Sequence, residues 1–328
     1  MNEKNLKVLE QYELEIRNMR KGRGSYILDT NRGLVLLKEY NGSEQRAVWI
    51  ENVCSTVNES GMRADLPIAN KEGHYVSSDR DEKRYMLKSW VAGREIDLRD
   101  SKEIYGAVKN LAALHTVLHG FDIEDSKTSP DLEQLFTKRM RELRKIMHYI
   151  KDKKRKNAFE MDFMKYYENY FQKCSKALEL ASQESVRAAR NAIWKKGNVC
   201  HGDYNQHNIL KEDHQFVTVN FENCRIGSQT EDLYCFMRKM LEKHNWDLQL
   251  ASEMMDLYMG QRELSQEELQ LLYIQFLFSE KFWKIANHYY NSKKTWIPDR
   301  SQQKLDVMIQ QLDNQNSFLE YFYSQYVS

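Results

Sequence analysis

The chain has 328 residues, 41% hydrophobic and 12% aromatic, enough apolar material to set it apart from chains too polar to offset the entropy of ordering; at about 100–200 residues per domain, it fits two domains or one large lobed unit. Lys and Arg number 49 against 48 Asp and Glu, a net charge of +1, so overall charge makes no case for a nucleic acid or a membrane surface. Three prolines and 13 glycines leave few breakers and favour a helix-rich fold, and five cysteines without a C-x-x-C pair fit a reducing compartment better than a secreted disulfide framework.

The N-terminal stretch MNEKNLKVLEQYELEI carries no apolar signal-peptide core. The most apolar run, Leu271 to Phe278, is far shorter than the roughly 20 residues of a bilayer span. A soluble protein made in the cytoplasm is expected. Residues 26–40 read as a hairpin, since Tyr26-Ile-Leu-Asp-Thr and Leu34-Val-Leu-Leu-Lys-Glu-Tyr40 are β-prone and the polar turn between them carries Gly33. Residues 43–59 read as a helix capped by Ser43, with Ala47, Ile50, Val53, Cys54 and Val57 at spacings of three and four. Past Pro67 and Gly73, Tyr85-Met-Leu-Lys-Ser-Trp-Val91 reads as a strand running into a connector at Ala92-Gly93. Helices dominate from there. Residues 101–119 have Ser101 at the cap, an apolar stripe from Ile104 to Leu118, and Gly120 where a helix-ending glycine is expected. Residues 131–189 hold two long helical patterns, residues 209–222 return to strand, and residues 229–326 are helical, with a capping box at Ser265-Gln-Glu-Glu268. The fold class is α+β: a small lobe over residues 1–90, an antiparallel sheet with one helix, joined near 88–95 to a large, mainly helical lobe over residues 91–328.

Chemistry concentrates in His201-Gly-Asp-Tyr-Asn-Gln-His-Asn208, a loop followed by a short hairpin. Phosphoryl transfer calls for a carboxylate near the acceptor hydroxyl and an oxygen ligand for Mg²⁺; in protein kinases a catalytic-loop Asp and an Asn five residues on fill these roles. Asp203 and Asn208 have that separation. The place where a second metal ligand is expected, at a strand end further on, reads Asn220-Phe-Glu222.

H-G-D-x-x-x-x-N, a strand, N-F-E and then Asp232-Leu233 resemble the aminoglycoside phosphotransferase and choline kinase superfamily. More narrowly, the chain resembles the spore-coat kinase-like (CotS) proteins of endospore-forming bacteria. The matching pieces are Arg20-Lys-Gly-Arg-Gly24, Leu37-Lys38-Glu-Tyr40, Trp90-Val-Ala-Gly-Arg-Glu95, Leu114-His115, the run Cys200 to Leu210, and the run from Asp232 to Asp247. They fall in family order over nearly the whole chain. The resemblance implies a bilobal protein-kinase-like fold, ATP and Mg²⁺ as cofactors of an active protein, and a place in the spore coat among other coat proteins. It implies that Lys38 holds the α- and β-phosphates, that Gly22 and Gly24 belong to a nucleotide-covering loop, and that the connector Leu87-Lys88-Ser-Trp90 offers backbone groups to adenine. Asp203 then orients the acceptor hydroxyl, His201 serves the catalytic loop more as a holder than as a proton carrier, and Asn208 ligates Mg²⁺. Lys38 needs a helix carboxylate; Glu44 and Glu51, seven apart, share one helical face, and Glu51 is preferred.

One departure matters. An asparagine, Asn220, stands where the superfamily has a metal-binding aspartate, and an amide offers Mg²⁺ an oxygen without charge. Either Glu222, on the same side of an extended strand as residue 220, makes up the loss, or the fold has become a pseudokinase scaffold of the coat. On the acceptor side, ten Lys and Arg between residues 138 and 156 are relieved only by Glu142 and Asp152. They read as a patch for an anionic partner or as a solvated helical face, and speak against a cationic aminoglycoside acceptor. The aromatics from Phe163 to Phe171 read as a cage or, at their spacing, as core. Spacing argues against zinc at Cys200, His201, His207 and Cys224, nucleic-acid binding has only the basic helices behind it, and His115 reads as a core histidine.

Overall fold

The computed structural model describes residues 3–22, 24–122, 126–291 and 297–328. After a 3₁₀ segment, Glu3–Gln11, come strands β1 (Ile16–Lys21), β2 (Ser25–Thr30) and β3 (Gly33–Glu39), helix α1 (Glu44–Glu59), and strands β4 (Arg63–Ala64), β5 (Pro67–Ile68), β6 (Val76–Ser78), β7 (Arg84–Ser89) and β8 (Arg94–Glu95). Helices α2 (Ser101–Val117), α3 (Leu132–Asp152), α4 (Ala158–Ala181) and α5 (Glu184–Lys195) follow. Short strands β9 (Val199–Cys200), β10 (Ile209–Glu212), β11 (Gln215–Thr218) and β12 (Arg225–Ile226) precede helices α6 (Thr230–Lys243), α7 (Leu248–Met259), α8 (Gln266–Leu277), α9 (Glu280–Asn291), α10 (Ile297–Gln310) and α11 (Leu312–Tyr326).

Compactness divides the chain into residues 1–128 with 195–232, and residues 129–194 with 233–328. This is a different division from the sequence boundary at residue 90: the short strands around the His201 loop belong with the N-terminal sheet.

In the first unit, an antiparallel sheet runs β1-β2-β3-β7, and both β5 and β6 pair with the far edge of β7. Its two faces follow the strand period of two. Val35, Leu37, Tyr85 and Leu87 face a core shared with Val8, Leu9, Tyr12 and Leu28. The intervening positions carry Leu36 opposite Lys88 and Lys38 opposite Met86, so both lysines project from the other face. Gly33 closes the β2–β3 turn with φ +90, a backbone conformation that suits a residue without a Cβ. Helix α1 starts at Ser43, whose side chain accepts from the Arg46 amide, and buries the expected stripe. Helix α2 also forms where the apolar spacing places it, but its cap is Asp100, not Ser101; the Asp100 carboxylate takes the Lys102 amide. A second sheet, β4-β11-β10-β8, has a parallel β4–β11 pair that sets Ala64 beside Thr218.

The second unit is helical among its described residues. Stacked rings, Phe136 on Phe278 at 4.0 Å and Phe163 on Phe282 at 4.7 Å, mark its core. Tyr170, also against Phe282, donates to the Met308 carbonyl at 3.0 Å. These aromatics pack as core, the plainer of the two sequence readings. The region between 131 and 189 gives three helices, not two, because the chain breaks at Ser182-Gln183 between α4 and α5. The Ser265–Glu268 capping box forms as expected, and a second one, Asn157 with Glu160, starts α4.

Candidate active site

The loop 201–208 is held by buried groups that act on its backbone. Asp232, at the start of α6 and 2% exposed, accepts the His201 amide at 2.6 Å and the Gly202 amide at 2.8 Å. His115 lies 3.3 Å from the same carboxylate. Burial opposes the charge on Asp232, but the hydrogen bond from His115, with Arg225 nearby, holds its carboxyl below the usual range. His201 is fully buried; its Nε2 meets the Val219 carbonyl at 3.0 Å while its Nδ1 accepts the Asp203 amide at 3.2 Å. Both ring nitrogens are therefore spent on backbone, which makes His201 a holder of the loop. Tyr204 donates to the Ala107 carbonyl at 2.7 Å. Gly202, at φ +79, lies so close to the Asn223 carbonyl that a Cβ would come within 2.2 Å of it.

So pinned, the loop turns Asp203 into a cleft of about 1010 Å³. Around it stand Lys38 from β3, Gly22 and Ser25 from the first hairpin, and Trp90 to Gly93 from the connector. Asn208, Asn220 and Glu222 line the same cleft. Gly24, at φ +69, turns the hairpin; Arg23 of the same motif lies outside the described residues.

Lys38, Asn220, Asn208 and Asp203 join in one hydrogen-bonded series. Lys38 Nζ is 3.3 Å from Asn220 Oδ1; Asn220 Nδ2 donates to Asn208 Oδ1 at 2.8 Å; Asn208 Nδ2 donates to Asp203 Oδ2 at 3.0 Å. Asn205 Nδ2 takes the other Asp203 oxygen at 2.7 Å. Lys38 finds its carboxylate in Glu222 at 3.3 Å, not in helix α1. Glu51 accepts from Ser55 one turn along, and Glu44 accepts the amides of Tyr75 and Val76. Helix α1 meets the 222–224 segment through Arg46, whose guanidinium donates to the carbonyls of Glu222 and Cys224.

The extended strand expected through residue 222 ends sooner. Asn220 is left-handed, φ 68 and ψ 56, and residues 221–223 form a 3₁₀ turn. Asparagine takes this conformation more readily than most residues, because its short side chain can hydrogen-bond locally. Glu222 still reaches the site, by way of the turn.

Lys88 is not part of the cleft wall. The Lys88 side chain is 2% exposed and lies 2.5 Å from Asp65 and 2.7 Å from Glu222. Two registers bring these groups together: β4 beside β11 carries Asp65 to the Asn220 amide, which donates to both its oxygens at 3.0 Å, and β5 beside β7 carries it to Lys88. Burial works against the charge on Lys88, but Asp65 and Glu222 hold its pKa above the ordinary lysine range. Burial likewise opposes the charge on Glu222, yet the ammoniums of Lys88 and Lys38 bring its carboxyl down to about 2. Asp65, more enclosed and beside the Glu222 charge, is pushed up by burial against the pull of Lys88. Of the backbone groups expected to face a base at Leu87 to Trp90, the Ser89 amide donates to the Leu66 carbonyl and the Trp90 amide to that of Leu34. The open part of the connector is Val91 to Gly93. Asp65 escaped the sequence reading altogether. The available signal was Lys88 itself, a charge inside the apolar run Tyr85-Met-Leu-Lys, which a protein buries only with a partner.

Asn208, Asn220 and Glu222 are thus brought together, and one oxygen of each already accepts a hydrogen bond. Asn208 Oδ1 accepts from an amide, Asn220 Oδ1 from an ammonium, and Glu222 Oε1 from two ammoniums. Among the described residues, no group of three or more His, Cys, Asp or Glu is placed to hold a metal ion. As arranged, this donor set does not fit Mg²⁺.

The family model described as spore coat putative kinase YutH matches residues 5–322. The chain belongs to that family. It is 21% identical to spore coat protein S of Bacillus subtilis (strain 168) over 311 residues, 93% of this chain and 88% of that one. Among solved structures it is similar to an aminoglycoside phosphotransferase from Alicyclobacillus acidocaldarius, with TM-score 0.86 and 20% identity over 97% of this chain and 95% of that one. It is also similar to the spectinomycin phosphotransferase APH(9)-Ia in complex with ADP and spectinomycin, with TM-score 0.67 and 14% identity over 98% and 97%. The fold is accordingly kinase-like, as the motifs implied, with an antiparallel sheet in the N-terminal region and a mainly helical C-terminal part. No helix among the described residues is long and apolar enough to cross a membrane.

The basic stretch of the second unit is partly partnered. Arg139 lies 3.5 Å from Glu280 and over the Trp283 ring, and Lys153 is 2.5 Å from the buried Glu160. Lys138, Arg141, Lys145, Lys151, Lys154 and Arg155 remain exposed.

Proposed function

We propose that the cleft binds a nucleotide and that the protein acts in the spore coat as a nucleotide-binding assembly protein, holding its shape for coat partners. One observation carries this reading: the Lys38 ammonium and the Asp203 carboxylate line one cleft and are joined through Asn220 and Asn208. In kinases a lysine on this strand of the sheet pairs the nucleotide phosphates. Lys38 is one-third exposed toward the cleft, and the Trp90–Gly93 connector offers the base an apolar rim.

A second reading is phosphoryl transfer to a hydroxyl of a small molecule or coat component. It is favoured by the care with which the loop presents Asp203, through Asp232, His201 and two asparagines. Against it stands the uncharged Asn220, since transfer of a phosphoryl group leans heavily on electrostatic stabilisation by metal ions.

Thermal unfolding with and without ATP tests the first reading. Nucleotide at about 100 times its dissociation constant should add about 2.7 kcal/mol of stability. No shift at millimolar ATP contradicts it. The second reading predicts that Asp203→Asn abolishes transfer while nucleotide binding survives; a wild type that binds ATP but transfers its phosphate neither to small-molecule hydroxyls nor to coat proteins leaves the first reading alone.

A further inference from the structure

The series from Lys38 to Asp203 has one direction throughout. Lys38 can only donate, and the carboxylate and main-chain carbonyl of Asp203, both reached by Asn208 Nδ2, can only accept. The two ends therefore fix both amides. Turning over Asn220 would set a donor against Lys38 and an oxygen against Asn208 Oδ1; turning over Asn208 would set an oxygen against the Asp203 oxygens. Asn220 and Asn208 each use both a donor and an acceptor, and an aspartate at 220 could not supply the donor.

Charge is balanced in the same place. Lys88 lies between Asp65 and Glu222, and Glu222 is shared with Lys38. Two ammoniums meet two carboxylates before any metal is added. Mg²⁺ is normally held by one or two carboxylates together with the phosphates. Here Glu222 Oε1 receives two ammoniums and both Asp203 oxygens receive amides. A divalent ion would have to displace these donors.

We propose that this cleft takes its nucleotide as the metal-free polyphosphate anion, with the Lys38 ammonium, held in place by Asn220 and Glu222, supplying the positive charge that a divalent ion supplies in kinases. The proposal rests on the nucleotide reading above and adds that binding is independent of Mg²⁺. Lys88 is the internal cation of the site: set between Asp65 and Glu222, it shares Glu222 Oε1 with Lys38, so that Lys38 is not the only ammonium on that carboxylate.

The test is calorimetric titration of the full chain with ATP, once in EDTA and once in Mg²⁺. The two dissociation constants should agree within about threefold, where tenfold is worth about 1.4 kcal/mol. ATP binding at least tenfold weaker in EDTA overturns the proposal and leaves the nucleotide reading standing; no binding in either buffer removes both. The variant Asn220→Asp sharpens the result, since aspartate tolerates the left-handed backbone at this position. It should make ATP binding at least about tenfold tighter in Mg²⁺ than in EDTA. If this variant and the wild type respond to Mg²⁺ alike, Asn220 does not decide metal dependence and the proposal falls.

Discussion

Two neighbouring segments of one cleft are built on different principles. The 201–208 loop is fixed through its backbone: Asp232 takes two of its amides and His201 spends both nitrogens on main-chain groups. The 220–224 segment is fixed through charged side chains, by Lys38 and Lys88 on Glu222 and by Asp65 on the Asn220 amide. The first arrangement presents the Asp203 carboxylate to the cleft. The second engages Asn220 Oδ1 and Glu222 Oε1, two oxygens that a cation could take. On the function proposed above, the fold keeps the loop that presents Asp203 while changing the place where a kinase holds metal.

The largest effect expected from separating the two is at Lys88. Lys88→Met leaves Asp65 and Glu222 without their shared ammonium, and breaking a buried ion pair from one side costs about 3–5 kcal/mol. Urea unfolding should show that loss, while amide exchange in the 201–208 loop stays slow at temperatures where the variant is folded. A loop that exchanges as freely as the 220–224 segment would mean that the two are one unit.

Asp232→Asn attacks the other side. An amide there turns an NH₂ toward one of the backbone donors it should accept from, and leaving a buried donor unsatisfied costs about 1–3 kcal/mol. Amide exchange should rise at His201 and Gly202, with the Lys88 cluster unaffected. Equal protection in variant and wild type would show that the clamp is dispensable.

A further effect is in acid. Glu222 has its carboxyl lowered to about 2 in the folded protein, from an ordinary value of 4.5. A lowered folded pKa stabilises above the unfolded value and loses that contribution as pH falls through the folded one. Stability from this group should therefore be whole above about pH 4.5 and drain away toward pH 2. Glu222→Gln should flatten the stability curve across that window. Parallel curves for variant and wild type would place the charge coupling elsewhere.

What the sequence made legible follows the same divide. The loop could be read because its chemistry is local: Asp203 and Asn208 lie five residues apart, and Asp232 follows the hairpin in the order the motif implies. The helices α1, α2 and α8 could be read from apolar spacing and caps, although Asp100 took the cap assigned to Ser101. The partner of Lys38 could not be read, because it depends on the left-handed turn at Asn220 that swings Glu222 into place. Asp65 was beyond reach for a related reason. It gains its meaning from a two-residue parallel pairing, Arg63 and Ala64 against Val217 and Thr218, more than 150 positions away and without local signature.

A crystal structure of the protein with a non-hydrolysable ATP analogue and Mn²⁺, read by anomalous scattering, decides between a metal-free and a metal-bound cleft. Nucleotide is expected in the cleft with its phosphates against Lys38, the Asn220–Asn208 hydrogen bond intact, and no manganese on Asn208, Asn220 or Glu222. A manganese ion bound by those side chains, with the amide series broken, would contradict the metal-free reading.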